Sequence, residues 1–255
     1  MKVVCLGSGN VATHLACAIK ATGANIIQVY SKTLANARAL ASVLNSQAID
    51  HLEQLNREAD LYIVSINDDA IESVVRQLKG LKGMVVHTAG ATSLSVFEEL
   101  GINRYGVLYP LQTFSKSRPV DFSTIPLCLE AGSKDDLQTL QQVAVKLSTL
   151  VYEVNSEDRK LLHLAAVFAC NFTNHLYHLS ASLLERKGLN FDILKPLILE
   201  TAAKVQNAMP YEVQTGPARR GDEATMERHL AMIQENPMLT DIYETLSKSI
   251  KKTYL

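Results

Sequence analysis

Several short stretches of this chain combine residue types and spacings that suit chemistry. The first is Gly7-Ser8-Gly9-Asn10-Val11-Ala12, directly after the apolar run Lys2-Val3-Val4-Cys5-Leu6. A strand that enters a G-x-G-x-x-A turn and leaves it as a helix carries the dinucleotide fingerprint. The first glycine permits the tight turn, and the second lets a pyrophosphate approach the backbone. Ala12, in the third place, is small enough for helix and strand to touch. The free amides at the helix start then bind the anion. Gly7, Ser8, Gly9, Asn10, Val11 and Ala12 are therefore expected cofactor contacts.

The second stretch is Val29-Tyr30-Ser31-Lys32-Thr33. An NAD site places Asp or Glu here to hold the ribose hydroxyls. This segment has no carboxylate, and Ser31 with Lys32 suits the 2′-phosphate of NADP(H); the plainer reading is a solvated lysine in a turn. Ligands gather at the carboxyl ends of parallel strands, which adds Ser65, Ile66, Asn67, His87 and Thr88 as cofactor candidates. Asn67 and Asp68 are equally suited to cap a helix, and His87 to make a local hydrogen bond at a strand end.

The third is HLAAVFACNFTNHLYH. At 100° per residue, His163, Asn171, Asn174 and His178 fall within an arc of roughly 80°. Leu162, Ala165, Ala169, Phe172 and Leu176 take the opposite face. Such a stripe reads as a proton-transfer site, with His163 as donor or acceptor and Asn171 or Asn174 orienting substrate. It also reads as a set of satisfied polar groups at a subunit interface. No carboxylate accompanies the histidines at ligand spacing, so no metal site is expected. The charged loop TGPARRGD, Thr215 to Asp222, is the fourth stretch. Gly216-Pro217 turns the chain and Asp222 can cap the following helix, but neither role uses Arg219 or Arg220. The loop is either a connector or a substrate-side clamp in which one of these arginines meets an anion and Thr215 donates a hydrogen bond.

The elements that must position these groups follow from periodicity. Strands are expected over 2–6, 25–30, 61–66, 84–87, 105–108 and 127–130, with helices over 11–22, 34–44 and 71–78. This alternation implies parallel pairing through crossovers. Continuous apolar strands such as LYIVSI imply a sheet covered on both faces. Beyond Val154 only helical patterns remain: one from Ser156, proposed as its cap, to Lys187-Gly188, then 191–206, 223–234 and 238–251. The expected fold is a doubly wound, mainly parallel α/β domain of the Rossmann type over 1–153, followed by an all-α domain over 154–255.

The whole chain has 255 residues, 47% hydrophobic and 20% charged, with a net charge of −1. That balance supports a large buried core and gives no basic face for nucleic acid. No window approaches the roughly 20 apolar residues of a membrane span. The N-terminus lacks the pattern of an export signal, so a cytoplasmic location is expected and the tripeptide Arg220-Gly221-Asp222 is not read as an adhesion motif. Cys5, Cys17, Cys128 and Cys170 lie singly in apolar segments and are expected to be buried free thiols.

GSGNVATHLA, HTAGATSLSVF, YPLQTF, HLAAVFACNFTNHL and TGPARRGDEATMERHL together resemble the Rossmann-like and DUF2520 family of NADP oxidoreductases. That family lies within the pyrroline-5-carboxylate reductase, ketopantoate reductase and 6-phosphogluconate dehydrogenase-like superfamily. The resemblance implies an NADP(H)-dependent oxidoreductase with an active cleft between its domains and a homodimer formed through the helical domain. Its substrate would be a small, anionic carbonyl, imine or hydroxy compound, with Arg220 rather than Arg219 facing it. Relatives sharing the N-terminal domain also use a deazaflavin. Two departures stand out. The Lys-x-x-x-Asn pair of the dehydrogenase relatives is replaced by His163, Val167 and Asn171, and Tyr109 stands where many relatives carry histidine. A chain lacking that lysine also admits a second reading, a non-catalytic NADP(H)-binding sensor or scaffold.

Overall fold

Alternate residues of the first strand, β1 (Lys2–Leu6), feed two separate apolar cores. Val3 and Cys5 join one core, while Val4 and Leu6 join the other. A strand with period-two side chains can be apolar throughout only if both faces of its sheet are covered. The computed structural model, which describes all residues from Met1 to Leu255, shows that arrangement.

β1 lies inside an eight-stranded sheet of order β3-β2-β1-β4-β5-β6-β7-β8. The other strands are β2 (Asn25–Tyr30), β3 (Gln47–Ile49), β4 (Leu61–Val64), β5 (Met84–His87), β6 (Tyr105–Pro110), β7 (Leu127–Ala131) and β8 (Val151–Glu153). Helices α1 (Asn10–Ala21), α2 (Leu34–Leu44) and α5 (Lys134–Ala144) contribute to the first core. Helices α3 (Asp68–Val75) and α4 (Ser95–Glu99) contribute to the second. Pairing is parallel except between β6 and β7, which run antiparallel. The one antiparallel pair within the expected, mainly parallel sheet has a simple reason. The connection from Pro110 to Leu127 contains only one short 3-10 turn, Phe122–Thr124, and no crossover helix. β3 and β8, three residues each, were too short to give a periodic signal.

After β8 the chain enters α6 (Ser156–Ala166), a π-helical turn over Val167–Phe172, and α7 (Thr173–Glu185). The cap of α6 is Asn155 and not Ser156: the Asp158 N–H donates to Asn155 Oδ1 at 2.9 Å. Ser156 has other partners. Its N–H and hydroxyl both donate to the Glu130 carboxylate, at 2.9 and 2.8 Å, and its Oγ accepts the Leu94 N–H at 2.9 Å.

By packing, the chain divides into two compact units, Met1–Asn171 and Phe172–Leu255. The second unit comprises α7, a 3-10 turn at Phe191–Leu194, α8 (Lys195–Asn207), α9 (Pro210–Val213), α10 (Pro217–Arg220), α11 (Glu223–Ile233) and α12 (Pro237–Tyr254). Its fully buried apolar side chains are few: Ala218, Met226 and Ile233. α7 and α8 bury none. Of the four thiols, Cys5 and Cys128 are buried as expected, Cys17 is half-buried, and Cys170 is exposed within the chain because it lies on the outer side of the π turn. No helix is long and apolar enough to cross a membrane.

Candidate active site

The carboxyl ends of β1, β2, β4, β5 and β6 open onto one cleft of about 700 Å³. At one end lies the glycine turn. Gly7 holds φ at +128°, and a Cβ there would stand 2.0 Å from the Ser65 carbonyl oxygen, so only glycine fits. Gly9 has nothing within 4 Å of where its Cβ would be, which leaves the backbone open for a ligand to approach. α1 begins at Asn10 with no side-chain cap and no acidic residue in its first turn. Its leading amides and the positive end of its dipole are thus free for an anion.

Ser31 and Lys32 line the same end, where the Ser8 hydroxyl donates to Ser31 Oγ at 3.0 Å. The walls carry two lysines, Lys32 and Lys116, against a single carboxylate, Asp68. A phosphorylated dinucleotide fits this donor set better than one needing a carboxylate for its ribose. Ser65, Ile66, Asn67 and Thr88 also line the cleft, with the Ser65 and Thr88 hydroxyls 2.9 Å apart. Ala12 is buried beneath the helix start, and Asn67 precedes α3 without a side-chain cap bond.

At the other end Tyr109, from β6, and His163, from α6, face the cleft together. The Tyr109 hydroxyl lies 3.0 Å from His163 Nδ1, and the rings meet edge to face. Burial pushes the Tyr109 hydroxyl up to about 12, so it stays protonated at neutral pH. Val107 and Cys128 form the buried cluster around it, and Leu162 packs against that cluster.

His87 is placed differently. Its side chain is fully buried behind the strand end, stacked on Phe97 at 5.3 Å, and does not line the cleft. Nδ1 accepts the Ala89 N–H at 3.2 Å, while Nε2 has no partner in hydrogen-bond geometry. Burial, reinforced by the Arg159 guanidinium and only weakly opposed by the Ser93 carbonyl, lowers its pKa to about 3. A residue expected at the cofactor is instead a neutral organiser of the loop that follows β5.

The polar stripe of the sequence is interrupted. A π turn spreads its residues over a wider turn than an α-helix, so the count at 100° per residue does not carry across Val167–Phe172. His163, before the turn, lines the cleft; Asn171, within the turn, is exposed and does not, and Asn174 is an exposed residue of the second unit. In the second unit, Gly216 takes φ of +107° to start α10, and the Asp222 carboxylate caps α11 by accepting the Thr225 N–H at 3.1 Å. Arg219 lies over the Tyr254 ring at 4.7 Å, which leaves Arg220 as the exposed arginine of the loop, and Thr215 is exposed as well.

The sequence reading missed Arg159. Its side chain is wholly excluded from solvent, pairs with Glu130 through Nη1, and donates from Nη2 to the Thr92 carbonyl at 2.6 Å. In Glu157-Asp158-Arg159-Lys160 nothing distinguishes it from its solvated neighbours. Tyr109 was noted only as a departure from relatives; its partner lies 54 residues away.

A protein from Bacteroides fragilis described as a putative NADP oxidoreductase is 46% identical to this chain, with a TM-score of 0.94 over 98% of both chains. The chain belongs to that oxidoreductase family. Residues 2–90 of this oxidoreductase match the family model described as coenzyme F420-dependent NADP oxidoreductase. Residues 125–250 match the domain of unknown function DUF2520. The fold is shared with a protein from Thermotoga maritima, at 22% identity over 99% of this chain and 98% of that one, with a TM-score of 0.73. It is also shared with an imine reductase from Myxococcus stipitatus in complex with NADP+, at 16% identity, 99% and 93% coverage and a TM-score of 0.71. No curated protein matches the chain.

A histidine whose folded pKa is depressed contributes stability that is present above its unfolded pKa and lost as pH falls toward the folded one. For His87 that window runs from about 6.5 down to about 3. Urea unfolding at pH 7 and pH 5 is expected to show the oxidoreductase losing about 2 kcal/mol more than its His87→Gln variant. Equal losses for the two proteins are the contrary result.

Proposed function

We propose that the protein is an NADPH-dependent reductase of a small, anionic carbonyl or imine compound, or a dehydrogenase of the matching hydroxy compound. The observation that carries this reading is one continuous cleft, with the Gly7–Gly9 turn and Lys32 at one end and the Tyr109–His163 pair at the other. The free amides of α1 would hold the pyrophosphate, and Ser31 with Lys32 the 2′-phosphate. Bound NADPH supplies the hydride. The chain must then provide one proton to the carbonyl oxygen or imine nitrogen, and His163 Nε2 is the nitrogen left for that transfer. Tyr109 can accept from Nδ1–H or donate to Nδ1, so it keeps the ring in one orientation through both protonation states.

Steady-state loss of NADPH absorbance across a panel of keto acids and cyclic imines tests this function. Turnover of at least one is expected, along with a Lys32→Ala variant that binds NADPH about 10- to 100-fold more weakly and NADH about as before. Intact NADPH binding without turnover of any compound speaks against catalysis.

Arg220 is assigned to the substrate anion. Arg219 is engaged by Tyr254, while Arg220 is exposed and can grip a carboxylate with two parallel bonds. Arg220→Ala should raise the substrate KM about tenfold or more at unchanged NADPH affinity; equal losses in both would sink the assignment.

The helical unit is further read as a homodimer interface. Ile193, Leu197 and Leu199 are 66%, 63% and 71% exposed, and α7 and α8 bury nothing within the chain. Apolar faces of that extent in a folded protein mark an interaction surface. Sedimentation equilibrium at micromolar concentration should return twice the 28.0 kDa chain mass; a monomer there contradicts the reading.

A further inference from the structure

Gly90 lies in the loop after β5, buried, against the imidazole of His163. A Cβ at this position would stand 2.6 Å from His163 Nδ1, 2.7 Å from its Cγ and 3.0 Å from its Cβ. Nδ1 is also the atom that meets the Tyr109 hydroxyl at 3.0 Å. The backbone supplies no other reason for glycine here. Gly90 is absent from the positive-φ residues of the chain, so alanine can adopt its conformation without strain. The three nearest atoms all belong to His163, so the constraint is steric and falls first on that side chain.

Which side would yield to a methyl group follows from how each is held. The Thr88 N–H donates to the Val64 carbonyl at 3.2 Å, and the Ala89 N–H donates to His87 Nδ1 at 3.2 Å. Beyond Gly90, the Thr92 carbonyl accepts from Arg159 at 2.6 Å and the Leu94 N–H donates to Ser156 Oγ at 2.9 Å. Arg159 and Ser156 belong to α6, the helix that carries His163. The segment before Gly90 is thus held to the sheet and to His87, and the segment after it to α6, which limits how far the loop can move to admit a side chain. The imidazole turns about two single bonds, and it is the part free to move.

We infer that Gly90 is a positioning residue for His163, its missing side chain being what seats the imidazole with Nδ1 on the Tyr109 hydroxyl and leaves Nε2 for the cleft. A methyl group at position 90 removes no polar group yet takes the ring off its partner. The kinetic consequence rests on the function proposed above for His163; the structural one does not.

Three variants test the inference: Gly90→Ala, Tyr109→Phe, and Gly90→Ala combined with His163→Ala. The side-chain ¹⁵N resonances of His163, assigned by their loss in His163→Gln, report its Nδ1 partner in the protein without ligand. Gly90→Ala and Tyr109→Phe should both shift the Nδ1 signal, whereas an unmoved signal in folded Gly90→Ala overturns the inference. Thermal unfolding supplies a cycle that needs no activity. Gly90→Ala should lower Tm in the native background and much less in the His163→Ala background, where the ring is gone and only the Cβ of residue 163, at 3.0 Å, still faces the methyl group. If Gly90→Ala does not fold, the double variant should; a double variant that also fails to fold overturns the inference. In the kinetic arm, Gly90→Ala should cost about 100-fold in kcat with NADPH affinity unchanged, and adding Tyr109→Phe should cost little more. If the resonance and the stability cycle respond while kcat does not, the seating of His163 stands and its catalytic role is what fails.

Discussion

Arg159 has its entire side chain out of water, and the positions of three segments follow from how that charge is met. A guanidinium does not shed its proton in a protein, so burial demands an anion and acceptors in fixed directions. The anion is Glu130 from β7, one acceptor is the Thr92 carbonyl, and a second is Ser156 Oγ, itself bonded to Glu130 and Leu94, while Nε has no hydrogen-bond partner. A strand, a loop and a helix are thereby joined at one point. Removing one partner of such a pair costs about 3–5 kcal/mol, because the other is left charged and buried. The antiparallel β7 serves the same end. Its register opposes Glu130 to Val107 and Cys128 to Tyr109, so the strand that anchors α6 also buries the tyrosine that His163 meets.

The two ends of the cleft are built on different physical principles. The anion end depends on backbone: a positive φ at Gly7, an open face at Gly9 and the uncapped amides of α1. It is made from a few consecutive residues and needs little from the rest of the chain. The Tyr109–His163 end depends on side chains from β6 and α6, whose relation is set by the Arg159 brace and by the packing of Leu162 against Tyr109 and Cys128.

That difference decides what could be read in the sequence. The glycine turn, the Ser31-Lys32 pair and most strand positions were legible because their signals are local: a period of two, a period of 3.6, a glycine after a strand. α2 was placed residue for residue over 34–44. The reversal between β6 and β7 had a signal that was passed over, the absence of any helical run between 110 and 127. Arg159 had none, since the burial of an arginine within a charged run depends on a glutamate 29 residues away. Nor did the π turn, and a stripe counted at 100° per residue across it joined His163 to asparagines that do not line the cleft. His87 and His163 looked alike as candidates. What separates them is desolvation, which no short stretch of sequence encodes.

The two histidines differ in what surrounds them: His163 lines the cleft, while His87 is buried behind it. A charged His87 would face the Arg159 guanidinium in a dry setting, and its pKa of about 3 means that it does not charge near neutrality. Being neutral near pH 7, it can serve as an acceptor for the Ala89 amide, one residue before Gly90. Arg159 holds the same loop from the other side through Thr92. The wall against which His163 rests is therefore held by one group that stays neutral near pH 7 and another that stays charged. Both supports keep their charge states near neutral pH, so the hydrogen bonds that shape the loop beside His163 are retained there.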